Sequence, residues 1–237
     1  TYGSRTGTNS YWSTYKFKKD KFKTLTEYLK AKNYFTQADV VSKLVIPKQG
    51  FDKFLIHDEE NDNLTFRHSK FLDEMKKKNK SGENFFLYLQ YSNIHTGIMN
   101  EVLKKYDNFN QEYFDNKELN EQRYDLLFDD STKYLETMIT KISDLELDKN
   151  TLILIMSDHG ISVGEKIGER AYGAFCYDYT VRTFTYFLFP SVGPGEITQQ
   201  IGTVDFIPTI LDYLKIPLDK NFSNLDGVSL LPLIHKE

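Results

Sequence analysis

Two stretches of continuous apolar residues, each ending in a polar loop that carries a histidine, dominate the hydrophobic pattern of this chain. Thr151–Met156, TLILIM, lacks alternation and is rich in Ile and Leu, so it predicts a strand buried on both faces of a parallel sheet. It runs directly into Ser157, Asp158, His159 and Gly160. The segment 84–95, NFFLYLQYSNIH, predicts a second buried strand with His95 at its carboxyl end. Between them, Tyr134, Leu135, Met138, Ile139, Ile142 and Leu145 fall on one face of a helix. Strand, crossover helix and strand together predict a βαβ unit and a parallel sheet.

The remaining pattern fills in around this unit. Thr24 is placed to cap a helix in which Leu25, Tyr28 and Leu29 share a stripe. A short strand is expected at 35–41, followed by a loop through Pro47 and Gly50 into a solvated acidic run at 58–63. Helical spacing links Leu64, Phe71, Leu72 and Met75, with Phe66 off the stripe. A further strand is expected at 183–190. A helix at 204–217 carries Pro208 in its first turn, where proline is tolerated. No internal repeat or linker interrupts the chain, so residues 1–237 are read as one domain.

Composition narrows the function classes. The 237 residues carry a formal net charge of −4, with acids and bases mixed along the chain, and this gives no basic surface for nucleic acid. The Lys-rich segment at 16–23 reads as a solvated face. No apolar run approaches the ~18 residues of a membrane span. The single cysteine, Cys176, excludes an intrachain disulfide and a multi-cysteine zinc site.

Asp158 and His159 offer a carboxylate oxygen and an imidazole nitrogen at a strand end, where ligands gather in open α/β sheets. Such a pair suits a divalent cation, and equally suits loop-bracing hydrogen bonds. His95 reads either as a satisfied buried histidine or as a third member of the same edge. Lys43 and Lys166 suit an anionic oxygen ligand as point charges, and Arg5 suits a bidentate clamp on sulfate or phosphate, although each is also compatible with plain surface.

Taken in order, these segments resemble the sulfatase family of the alkaline phosphatase-like superfamily. TLTEYLKAKNYFT is similar to the family's TLAEYLK and GY-T segment, and FFLYLQYSNIHTG to its strand ending in a histidine-bearing loop. TLILIMSDHG resembles the strand that ends in metal ligands. YDYTVRTFTYFLFP resembles the YDET-VRVP strand, and VDFIPTILDYLKIP with LDGVSLLPLI the closing pieces. The resemblance implies an α/β, three-layer sandwich with a mostly parallel central sheet flanked by helices.

It also implies roles. Asp158 and His159 fall on the metal-ligand loop, for one divalent ion, Ca2+ first, with Mg2+, Mn2+ or Zn2+ as alternatives. His95 falls on the histidine that contacts the sulfate or leaving-group oxygen. Lys43 falls on the lysine of a Gly-Lys-Trp-His segment, with Val45 in place of the histidine. Lys166 stands where many members have a histidine; it can serve as a cation but not as the same acid, its ordinary pKa being about 10.4. Ala174 stands where a lysine is expected.

The opening TYGSR matches the family's C/S-x-P-S-R motif only at Ser4-Arg5. It would make Thr1 the nucleophile and Arg5 its anion-binding partner, without formylglycine. The strand that supplies two consecutive aspartates is expected upstream of Thr1, since Asp129-Asp130 lie in a helical pattern. The implied activity is metal-dependent hydrolysis of a sulfate or phosphate ester on a small molecule or glycan. The alternatives are a degenerate domain binding anionic glycans and a phosphotransferase or phosphodiesterase of the same superfamily. A secreted or cell-surface location is favoured over a cytoplasmic one.

Overall fold

The computed structural model describes residues 22–107, 111–172, 175–222 and 225–235. The first half of the chain forms α1 (Leu25–Lys30), β1 (Phe35–Val40), β2 (Lys53–Ile56), α2 (Leu64–Lys80), β3 (Phe85–Leu89) and α3 (Asn93–Gly97). The second half forms α4 (Gln111–Asp115), α5 (Lys117–Asp144), β4 (Ile153–Met156), α6 (Asp178–Val181), β5 (Thr185–Leu188), α7 (Phe206–Tyr213) and α8 (Leu231–His235). These elements fall into two compact units. One takes the chain up to residue 56, residues 78–88 and the chain from 193 on; the other takes 57–77 and 89–192.

In the first unit the sheet order is β2-β1-β3, and β1 runs parallel to β2 with Gln37 opposite Lys53 and Val40 opposite Ile56. The local sequence explains the entry into this sheet. The Glu27 N–H donates to the Thr24 hydroxyl at 3.3 Å, while the Glu27 carboxylate accepts from the Thr24 N–H at 2.8 Å, so two orphan amides of α1 are satisfied reciprocally. Replacing Thr24 with alanine is expected to cost about 1 kcal/mol, read as a lowered denaturation midpoint at unchanged slope.

The turn into β2 is tied down from both sides. Asp52 accepts from the Thr36 N–H and hydroxyl, both at 2.9 Å, and from the Lys30 ammonium at 2.6 Å. The Lys30 partner and the Thr36 donors hold its carboxyl below the usual carboxylate range. At Gly50 φ is +78°, and an added Cβ would lie 2.6 Å from the Glu27 nitrogen, so only glycine fits against the start of α1. The core of this unit joins Tyr28 and Leu29 of α1 to Leu211 of α7 and to Ile216, with Phe86 of β3 packed on them. Pro208 is buried in the first turn of α7, as expected.

The second unit is built on the 28-residue helix α5. Of its expected apolar face, Tyr134 and Met138 are buried, whereas Ile139 is exposed. The main cluster gathers Ile98, Ile161, Val163 and Ala171, with Leu103, Tyr124, Leu127 and Tyr172 against it. Gly97 permits close approach of α3 to α5, since a Cβ there would meet the Leu127 side chain at 2.6 Å.

The expected strands are present, but β3 is half-buried rather than buried, and β3 and β4, expected as one βαβ unit of a parallel sheet, fall in different sheets. β4 pairs antiparallel with β5, Ile153 opposite Leu188 and Met156 opposite Thr185, and its residues are half-buried to exposed rather than buried on both faces. β2 lies within a stretch expected to be loop. Its four residues, KFLI, are too short between Asp52 and the acidic run to show a period.

Candidate active site

Two of the sequence-expected residues, His95 and His159, come together around Tyr172. His95 lies not at the end of a strand but on the five-residue helix α3, because β3 ends at Leu89. Its ring stacks on Tyr172 with centroids 5.2 Å apart, and its Nδ1 is 3.0 Å from the Tyr172 hydroxyl. The His159 ring also meets the Tyr172 ring, edge to face, with centroids 5.6 Å apart at 86°. One phenol therefore touches both candidate histidines.

The loop after β4 owes its shape to local bonds. The Ser157 N–H donates to the Phe184 carbonyl at 3.2 Å, and the Gly160 N–H to the Thr180 carbonyl at 3.0 Å. A Cβ on Gly160 would sit 2.2 Å from the Tyr179 carbonyl oxygen, a backbone atom that cannot swing away. Gly160→Ala is accordingly expected to destabilise the protein by about 1–3 kcal/mol, seen as a lower denaturation midpoint. Within this loop the His159 N–H donates to Asp158 Oδ1 at 2.9 Å.

Asp158 and His159 present two donor atoms of the kinds a cation takes. His159 Nδ1 is 2.7 Å from the Gly160 carbonyl; a carbonyl only accepts, so the proton sits on Nδ1 and the Nε2 lone pair is left for a ligand. Asp158 Oδ2 lies 3.8 Å from that Nε2, a separation one ion can span with bonds of about 2.0–2.6 Å. Both side chains are open to solvent, Asp158 at 78% and His159 at 45%.

Tyr172 is carried on a braced loop. Ser162 and Ala171 form an antiparallel bridge, the buried Tyr113 hydroxyl donates to the Ser162 carbonyl at 2.8 Å, and the Asn120 amide donates to the Val163 carbonyl at 3.1 Å. Ala171, itself buried, is held at φ +46°, a left-handed conformation costing about 1 kcal/mol for a residue with a Cβ. Burial first, then the nearby carboxylates of Glu59 and Asp158, push the Tyr172 phenol up to about 12, so it stays protonated across the physiological range. Glu59 is steadied by the Thr96 hydroxyl, 3.2 Å away. A second braced acid lies further along: the buried Glu169 accepts from Tyr179 at 2.6 Å and from the Phe175 N–H at 3.1 Å.

The other expected residues are distributed differently. Lys166 is exposed and lies over the Tyr177 ring at 4.8 Å. Lys43 is exposed in the first unit, on the turn after β1. Thr1 and Arg5, like Ala174, lie outside the described residues. Tyr172 and Glu59 escaped the sequence reading. Tyr172 belongs to no periodic segment, and Glu59 sits in the acidic run 58–63 that reads as solvated surface.

Comparison with known proteins places the chain in a family. The model of the sulfatase family matches residues 2–216, and the chain belongs to that family. It is 33% identical over 105 residues to arylsulfatase K of Gallus gallus, an alignment covering 42% of this chain and 18% of that protein. Among solved structures, Ps i-CgsB superposes with a TM-score of 0.64 at 19% identity, over 90% of this chain and 57% of the other. The lipoteichoic acid synthase LtaP of Listeria monocytogenes superposes with a TM-score of 0.64 at 17% identity, over 88% of this chain and 56% of the other. The fold is thus the alkaline phosphatase-like α/β fold shared by these structures. The chain spans less than a fifth of arylsulfatase K and just over half of either structural neighbour. Sulfatases generally bind a divalent metal. Among the described residues no helix is long and apolar enough to cross a membrane.

Proposed function

We propose that this chain forms part of a metal-dependent sulfuric ester hydrolase, one sulfatase-like domain over residues 1–237. The observation that carries the reading is the meeting of His95 and His159 at Tyr172, with Asp158 beside them, in a chain of the sulfatase family. Asp158 and His159 would hold one divalent cation, Ca2+ before Mg2+, Mn2+ or Zn2+. When bound, such an ion neutralises charge on the ester oxygens and lowers the pKa of an attacking oxygen.

The chain's own groups do the rest. His95 donates a proton to the leaving ester oxygen, and Lys166 is a cation for the negative charge that develops on the transferred group; Lys43 and Arg5 keep the anion-binding roles that the family resemblance implies. Thr1 is the nucleophile on the resemblance of TYGSR to the family motif. The substrate is a sulfated small molecule or glycan, handled outside the cytoplasm.

A second reading is a degenerate domain that binds anionic glycans, favoured by Val45 and Ala174 where the family has a histidine and a lysine. A third, phosphoryl transfer, is favoured by a threonine at the nucleophile position, and likeness of fold does not choose between sulfate and phosphate. Incubating the intact protein in parallel with an aryl sulfate and a bis-aryl phosphate, each with Ca2+, separates the three. Sulfate release is expected; phosphodiester cleavage alone points to the third reading, and neither, in folded protein, to the second.

A further inference from the structure

The SDHG loop and α3 each present a histidine, and what joins them is a residue that no motif marks. Tyr172 lies face to face with His95 and edge to face with His159, and its hydroxyl is 3.0 Å from His95 Nδ1 and 3.5 Å from the His95 carbonyl oxygen. The phenol has one proton to give, and the shorter of the two contacts, the one to Nδ1, is where the geometry points it. A phenol carries its proton at neutral pH, so the donor is available.

The scaffold around Tyr172 is over-determined for this task. The preceding residue, Ala171, is buried and held at φ +46°, its N–H donates to the buried Tyr113 hydroxyl at 3.3 Å, and Ser162 bridges it from the other strand of the loop. A left-handed alanine that the fold keeps in position beside a candidate site is strain of the kind that aims a side chain. Facing it, Gly97 lets α3 lie close to α5, which fixes the His95 helix.

We propose that Tyr172 is a positioning residue that fixes His95 as the Nε2–H tautomer. By donating to Nδ1, the phenol leaves the imidazole only one place for its proton, and Nε2–H becomes the group turned to the substrate. Ring stacking holds the plane of the imidazole while the hydrogen bond selects its protonated atom. The inference rests on the sulfatase-like reading for the use His95 makes of that proton, but the tautomer itself is independent of any substrate.

Nitrogen-15 long-range correlation spectra of His95 in the intact protein test this directly. The wild type is expected to show a protonated Nε2 and an acceptor Nδ1. Tyr172→Phe keeps both ring contacts and removes only the hydroxyl. It is expected to show a mixture of tautomers and, on an aryl sulfate, about a tenfold lower kcat with KM little changed. A residue that merely packs the loop would leave both readouts as they are. A wild-type His95 protonated on Nδ1, or a Tyr172→Phe spectrum identical to wild type, overturns the proposal. Absence of sulfate turnover in a wild type that shows the Nε2–H form would instead strike the sulfatase reading and leave the positioning role standing.

Discussion

Asp158→Ala is expected to release the bound divalent ion and to lower ester hydrolysis by about 10^3-fold or more. Asp158 contributes the hard oxygen of the pair, 3.8 Å from His159 Nε2, and a neutral methyl supplies neither charge nor lone pair. An imidazole alone binds the harder cations poorly, so the remaining histidine does not keep the ion. The loss is in the chemical step, because electrostatic stabilisation of the transferred group is the largest contribution such a site makes. The fold should survive: the side chain is 78% exposed, and within the loop it accepts from the adjacent His159 N–H. Asp158→Asn, which retains an oxygen acceptor for that N–H, separates loss of charge from loss of loop shape. Elemental analysis of the purified variants reads the outcome, and metal stoichiometry unchanged in Asp158→Ala would remove this loop from the site.

His95→Ala is expected to lower kcat by about 10^2- to 10^4-fold, the range over which a positioned proton donor contributes. The dependence on the leaving group is the sharper expectation. An aryl sulfate departs as a weakly basic phenolate and needs little proton donation, whereas an alkyl or sugar sulfate departs as a strongly basic alkoxide and needs much. The penalty of His95→Ala should therefore be several-fold larger for the alkyl or sugar ester than for an activated aryl one. An equal penalty for both would move His95 from proton donation to simple binding. His95 is exposed on α3, so its removal leaves no cavity in the core.

The fold was legible where the sequence carries a local rule. The Thr24–Glu27 capping box, the proline in the first turn of α7 and the long helix before β4 all follow from spacing that short-range physics dictates. The apolar run of β4 located a strand but not its partner. Ile153–Met156 accepts an antiparallel neighbour as readily as a parallel one, and pairing is decided by residues some thirty positions away in β5. β2 was hidden because four residues cannot display a period.

The candidate site was legible only in part, for a related reason. Asp158, His159 and His95 stand at the ends of apolar segments, where position alone raises suspicion. Tyr172 gains its place from long-range contacts: the bonds of Tyr113 and Asn120 to the 161–172 loop cross 49 and 43 residues of sequence. Glu59 is one acid among several in a run, and only its approach to Thr96 and Tyr172 distinguishes it. Neither signal exists in one dimension.

The central claim is that Asp158 and His159 hold a cation that the ester-cleaving reaction needs. The most direct measurement is sulfate release from an aryl sulfate by the intact protein, followed through removal of metal with a chelator and its return as Ca2+. Release is expected to stop on chelation and to recover on adding the ion, with no recovery in Asp158→Ala. Release that continues unchanged in the chelated protein, or an Asp158→Ala protein that recovers as the wild type does, would contradict the account.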